Sequence, residues 1–213
     1  MELIYNPQVK ICGITNLDDA LLCLNAGVDA LGFIFAESKR RITAMMADQI
    51  IAGMPRNDLR KVGIFIDTDF ENIMQHVRVA NLDTVQLHGN ESEALIEQLQ
   101  AEGLSVIKVL FQKHAPSIHT IANYAPEAFL LESDNQSDTL AEIRDFVTDV
   151  PFILAGGLNA ANLKGAIEAI QPNAIDLNSG SEYTFGIKSA AKIDAIMEII
   201  NNIKYTKPVR RVF

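Results

Sequence analysis

Short apolar runs rich in Val, Ile, Leu and Phe recur along the chain at Val9–Cys12, Ala30–Phe35, Val62–Ile66, Thr84–Leu87, Val106–Leu110, Ala128–Leu131, Phe152–Leu154 and Ala174–Leu177. Each has the length of a strand, and between them lie segments with apolar residues at helical spacing, such as Ala20, Leu21 and Leu24 after the first run and Ile167 and Ile170 before the last. Alternation of strand and helix along the whole chain predicts parallel βα units. A junction repeats with it: Ala26-Gly27-Val28-Asp29-Ala30, Ala80-Asn81-Leu82-Asp83-Thr84 and the looser Gln171-Pro172-Asn173-Ala174 each close a helix and open a strand. A Gly or Asn in the left-handed conformation ends a helix at little steric cost. At the other end of the strands, Asp69 with Asn72 and Asn90 with Glu93 read as helix starts.

Eight such units of roughly 20 to 30 residues predict an α/β protein, a closed (β/α)8 TIM barrel forming a single domain over residues 1–203, followed by a basic tail over 204–213 that reads as a solvated extension. An open doubly wound sheet is the competing architecture. Against it, the first strand is followed by Cys12-Gly13-Ile14-Thr15 and not by GxGxxG.

With 213 residues, 48% of them hydrophobic, and no Pro/Gly/Ser-rich break, the chain can bury a large core without an internal linker. A net charge of -9 argues against a nucleic-acid partner, although backbone amides can still hold a small anion. Cys12 and Cys23 offer neither a disulfide framework nor, with the four histidines, a zinc cluster, so no metal is expected and a reducing cytoplasm is the expected compartment. The polar start of the chain does not resemble a signal peptide, and no apolar run is long enough to span a bilayer; no membrane partner is expected.

Four polar motifs sit where strands end: Ile11-Cys12-Gly13-Ile14-Thr15, Gln86-Leu87-His88-Gly89, Ala155-Gly156-Gly157-Leu158 and Asn178-Ser179-Gly180. A barrel gathers such ends into one mouth. Cys12 there can serve as base or nucleophile, whereas Cys23, inside an amphipathic helix, reads as core. Gly156 and Gly157 after the seventh strand, with Ser179 and Gly180 after the eighth, match the usual place of a phosphate site in this fold. His88 either contacts substrate or orients its loop by hydrogen bonding. Asp176, on the last strand, suits sugar hydroxyls, and Arg40, within Lys39-Arg40-Arg41, offers a planar fork for a carboxylate.

The chain resembles the phosphoribosylanthranilate isomerase family of tryptophan biosynthesis from roughly Val9 to Ile200. The shared pieces are Lys10-Ile11-Cys12-Gly13-Ile14-Thr15, Leu31-Gly32-Phe33-Ile34-Phe35, Ser38 with Arg40, Val62-Gly63-Ile64-Phe65, Gln86-Leu87-His88-Gly89, Ala155-Gly156-Gly157-Leu158 with Asn162, and Asp176 with Ser179-Gly180 and Glu182. The resemblance implies a (β/α)8 barrel, no metal or organic cofactor, and an Amadori rearrangement of N-(5-phosphoribosyl)anthranilate to the open-chain carboxyphenylamino-deoxyribulose phosphate. It makes Cys12 the base that removes the sugar C2 proton and places the general acid after strand six, where the family's Leu-Leu-Asp reads Leu130-Leu131-Glu132, with Asp134 as a second candidate.

For that chemistry the acid's pKa should lie high and the thiol's low. The family's Gly-Gly-Thr-Gly stretch, expected to cover substrate, is replaced by Ser133-Asp134-Asn135-Gln136-Ser137, and Ser-Pro-Arg reads Ser38-Lys39-Arg40. The expected partner is a phosphorylated sugar-anthranilate bound by a monomer or homodimer. The alternative is an isomerase-derived phosphosugar-binding barrel with a different substrate or no turnover.

Overall fold

The computed structural model describes residues 3–111, 124–132 and 150–213. Eight strands close into a parallel barrel in sequence order: β1 (Gln8–Cys12), β2 (Ala30–Ile34), β3 (Arg60–Phe65), β4 (Thr84–Leu87), β5 (Ser105–Phe111), β6 (Ala128–Glu132), β7 (Phe152–Ala155) and β8 (Ala174–Leu177). Closure is made by β8 against β1, with Lys10 opposite Asp176 and Ile11 opposite Leu177. The described helices are α1 (Leu17–Ala26), α2 (Ala44–Gly53), α3 (Phe70–Ala80), α4 (Glu93–Ala101), α5 (Leu163–Ile170) and α6 (Ala190–Asn202).

Strand periodicity divides the apolar residues into two cores, where the sequence suggested one. Ala30, Ile34, Val62, Ile64, Ile107, Val109 and Leu130 pack with Cys12 inside the barrel. Their neighbours Leu31, Phe33, Phe65, Leu110, Phe129 and Leu131 point the other way and join the apolar faces of the helices.

The repeated junctions have a physical basis. Gly27, Asn81 and Gln171 take left-handed backbone conformations at the ends of α1, α3 and α5. The polar residue that follows then clasps the preceding strand. Asp29 accepts the Val9 N–H at 2.8 Å while its own N–H donates to the Val9 carbonyl. Asp83 does the same to Lys61, Glu127 to Val106 and Asn173 to Phe152. Every even-numbered strand is thus tied to the odd-numbered one before it, each bond contributing about 1 kcal/mol.

Asp69 caps α3 as expected, through the Asn72 N–H. For α4 the cap is Ser92 in place of Asn90, because the Asn90 N–H is engaged by Asp67 and the helix begins only at Glu93.

Residues 204–213 do not form a solvated extension. Val209–Arg210 pairs antiparallel with Leu3–Ile4, and the Tyr205 hydroxyl donates to the Pro172 carbonyl at 2.8 Å. Phe213 joins the interior cluster at the N-terminal end of the barrel, its N–H donating to Gln8 Oε1 at 2.8 Å. Apolar residues interleaved with the basic ones supply the anchorage that the charge pattern masks. Among the described residues, no helix is long and apolar enough to cross a membrane.

Candidate active site

A cavity of about 260 Å³ opens at the C-terminal ends of the strands. Cys12, Arg40, His88, Glu132, Gly156, Gly157, Asp176, Ser179 and Gly180 all line it, so every predicted site residue in the described part of the chain meets at one mouth. Asp134 and the loop 133–137 lie outside the described residues.

One wall is built of backbone. Gly156 and Gly157 have φ of 96° and 58°, a pair that side-chain-bearing residues rarely adopt. The Gly157 carbonyl is held from outside the cavity by the side-chain amides of Asn159 and Asn162, at 3.1 and 3.0 Å. Opposite it, Ser179–Ser181 forms one turn of 3-10 helix whose leading N–H groups have no earlier carbonyl to bond. A Cβ on Gly180 would lie 1.8 Å from the Leu158 carbonyl oxygen, so the two loops touch through backbone. Paired loops of this kind form a concave set of N–H donors suited to an anion.

The floor is ionic. Lys10, two residues before Cys12 and on the same strand face, is fully buried and donates to Asp176 Oδ2 at 2.8 Å. Burial works to lower the Lys10 pKa, but Asp176 and Cys12 outweigh it and leave the ammonium charged. The Cys12 thiol is pushed up: burial dominates, and the help of Lys10 and Lys188 does not offset it. Lys188, also buried, donates to the Cys12 carbonyl at 2.6 Å and to Glu182 Oε1 at 3.2 Å. Burial holds its pKa below the usual lysine value.

Arg40 is not an open fork. Its Nε and Nη2 both donate to the Glu182 carboxylate at 2.6 Å, and its guanidinium lies 5.0 Å from the centre of the Phe185 ring. Burial would raise the Glu182 pKa, yet Arg40 and Lys188 together hold it low. The arginine therefore presents only its remaining edge to the cavity.

Glu132 ends β6 with its side chain 42% exposed and its Oε2 3.4 Å from His88 Nε2. The His88 hydrogen bond lowers its pKa despite partial burial. Both protonation expectations are thus reversed in the structure: the thiol is high because it is buried, and the carboxyl is low because a histidine donates to it.

The sequence reading missed Lys10, Lys188 and Gln86 as functional. A lysine inside an apolar strand was the available signal for Lys10; Lys188, in the two-residue strand Ile187–Lys188, offered no such signal. Gln86 Oε1, Asp176 Oδ1 and Asn178 Oδ1 are buried without a hydrogen-bond partner, and all three residues line the cavity. Unpaired buried acceptors converging on one space call for a ligand rich in donors.

Fold and site define a (β/α)8 barrel with a backbone anion cradle after β7 and β8 and a thiol and a carboxyl beside it. The sequence pattern of N-(5'phosphoribosyl)anthranilate (PRA) isomerase matches residues 9–199, and the chain belongs to that family. It is 37% identical over 201 residues to N-(5'-phosphoribosyl)anthranilate isomerase of Pelobacter propionicus, covering 90% of this chain and 94% of that protein. It is 36% identical over 207 residues to the same enzyme of Oceanobacillus iheyensis, covering 92% and 96%.

Among solved structures, phosphoribosyl anthranilate isomerase from Thermus thermophilus superposes with a TM-score of 0.79 at 34% identity, covering 91% of this chain and 98% of that one. A phosphoribosyl anthranilate isomerase in complex with reduced 1-(o-carboxyphenylamino)-1-deoxyribulose 5-phosphate superposes with a TM-score of 0.80 at 31% identity, covering 92% and 100%.

Proposed function

We propose that this chain catalyses the Amadori rearrangement of N-(5-phosphoribosyl)anthranilate to 1-(o-carboxyphenylamino)-1-deoxyribulose 5-phosphate in tryptophan biosynthesis. The observation that carries the reading is the presence of Cys12 and Glu132 on one cavity whose remaining wall is the cradle of Gly156, Gly157, Ser179 and Gly180. The cradle takes the phosphate. Asp176 takes ribose hydroxyls through its unpaired oxygen, and the free edge of Arg40 faces the anthranilate carboxylate. Glu132 protonates the furanose ring oxygen, opening the ring to the protonated imine. Cys12 as thiolate then removes the C2 proton, giving an enolamine that becomes the ketone.

The favoured protonation state, thiol and carboxylate, differs from the reactive one by transfer of a single proton. The two forms hold equal numbers of protons, so the reactive fraction is constant at every pH between the two titrations. The protein acts as a monomer or a homodimer. The two unpaired cysteines fit the cytoplasm.

The test is growth of a tryptophan auxotroph lacking this isomerase, together with turnover of phosphoribosylanthranilate by purified protein. Rescue by wild type and loss with Cys12→Ala and Glu132→Gln are expected. Soluble, folded wild-type protein that neither rescues nor turns over substrate would overturn the reading.

A further inference from the structure

Gln86, His88 and Glu132 form a line at the mouth. Gln86 Nε2 lies 3.4 Å from His88 Nδ1, and His88 Nε2 lies 3.4 Å from Glu132 Oε2. An amide nitrogen is only a donor, so in this arrangement Nδ1 accepts, the ring is neutral, and its one proton sits on Nε2, directed at an ionised Glu132. The arrangement leaves Gln86 Oε1 buried and unpartnered. A half-turn of the same amide exchanges the two ends: Oε1 then accepts from a protonated Nδ1, and Nε2 turns to the place where Oε1 had no partner. The second orientation belongs to the imidazolium.

We propose that the proton Glu132 delivers is stored on His88, and that the Gln86 amide turns over to hold it there. The inference rests on the isomerase reading and identifies the source of that acid's proton. In the loaded state His88 carries protons on both nitrogens. Its Nε2 proton passes to Glu132 Oε2, and the carboxyl passes one to the ring oxygen as the C–O bond breaks, the bonding electron pair leaving on that oxygen. His88 is left neutral with its proton on Nδ1, facing Gln86 Oε1, and Glu132 is again ionised. The C2 proton taken by Cys12 returns to solvent, and His88 takes one from solvent, so the cycle balances. An ionised Glu132 at rest is then the expected state of a carboxylate that transmits a proton held by its neighbour.

The described charged groups around the loop are Glu132 on β6, Asp67 after β3, and the buried Glu91–Lys108 pair on which the loop rests. Glu91 accepts the Gly89 N–H at 3.0 Å, and Lys108 donates to the Gly89 carbonyl at 2.6 Å. None of these lies between Gln86 and His88 in sequence or on their strand, and the pair fixes the loop in either protonation state.

The experiment is nitrogen NMR of the imidazole of His88 and the side-chain amide of Gln86 in the unliganded full chain, with kcat/KM measured over the same pH range. In wild type, neutral His88 should be protonated on Nε2, and the Gln86 amide resonances should move in the same step as His88 charges. Gln86→Glu offers acceptors only, and should raise the pH at which His88 titrates by about one unit or more, carrying the acidic limb of kcat/KM with it. Gln86→Met, which offers no partner, should leave neutral His88 as a mixture of tautomers.

A Gln86 amide indifferent to the titration of His88, or a His88 titration unmoved in Gln86→Glu, would overturn the proposal. So would an acidic limb that stays in place while His88 shifts. The NMR readout does not depend on turnover: if the protein shows the coupled step but does not act on phosphoribosylanthranilate, the isomerase reading fails and with it the delivery of the proton to substrate, while the coupling of Gln86 to the charge on His88 stands.

Discussion

Gly180→Ala tests the anion cradle with one methyl group. Its Cβ would stand 1.8 Å from the Leu158 carbonyl oxygen, against the 3.0 Å that real Cβ contacts respect, so the loops after β7 and β8 must separate by about 1.2 Å. The obstacle is backbone on both sides, and no rotamer relieves it. A displacement of that size takes one loop's N–H groups out of hydrogen-bonding range of an anion seated between them. Loss of one charge-assisted bond costs about 1.5 to 3 kcal/mol, or about 10- to 150-fold in affinity.

KM for phosphoribosylanthranilate should therefore rise 10- to 100-fold. The fall in kcat should be smaller, because Cys12 and Glu132 stand on other strands. Steady-state kinetics measures the split, and competition by inorganic phosphate should weaken in parallel. Gly165→Ala is the control: it lies in α5 with nothing within 4 Å of the added Cβ, so KM should not change and stability should rise by about 0.5 to 1 kcal/mol. A folded Gly180→Ala protein with KM within twofold of wild type would refute the cradle.

Three further perturbations address the charged groups. Because the thiol lies high and the carboxyl low, raising the pH through the thiol's titration, above its ordinary value of 9.0, yields thiolate but strips the proton that Glu132, as the proposed acid, must deliver, so kcat/KM should fall there. Lys10→Met removes a cation that favours the thiolate and should move that alkaline limb upward, whereas a rate that climbs with thiolate absorbance would contradict the assignment. Glu182→Gln leaves buried Lys188 without its counter-charge and should cost about 3 kcal/mol in urea unfolding, recovered in part by adding Lys188→Met. A loss below about 1 kcal/mol would show that the pair does not support the site.

The barrel was legible because the eight apolar runs and the left-handed residues that close the helices are local signals. Strand ends moved by only one or two residues: Val62–Ile66 became Arg60–Phe65, and Ala30–Phe35 became Ala30–Ile34. Asp29 and Asp83 stood within the repeated junctions, but what they do was hidden, since each clasps a strand about 20 residues earlier. The same distance effect concealed the support of the site. Arg40 reaches Glu182 across 142 positions, and Lys188 reaches Cys12 across 176. No window along the chain brings such pairs together. Residue type correctly placed Arg40 at the mouth but not the engagement of its fork, and the need for an acid and a base gave their pKa directions the wrong way round, because burial of Cys12 and the donation from His88 exist only once the barrel closes.

Charge among the described residues at the mouth favours the proposed holding of the anion by backbone. Among the described residues that line the cavity, Arg40 is the one arginine or lysine, already engaged by Glu182, while Glu132 and Asp176 are carboxylates; Lys10 and Lys188 face Asp176 and Glu182. The described residues thus bring no net positive charge to a phosphorylated, carboxylated substrate, in a chain of net charge -9. Amide N–H groups can meet a phosphate there because their dipoles bring no counter-charge that must itself be buried. Burial, which outweighs the help of Lys10 and Lys188, disfavours a standing thiolate. Thiolate together with a loaded acid is then a small, constant fraction of the molecules between the two titrations, and the thiol, protonated in the rest, keeps the site inert toward adventitious electrophiles in the interval between substrates.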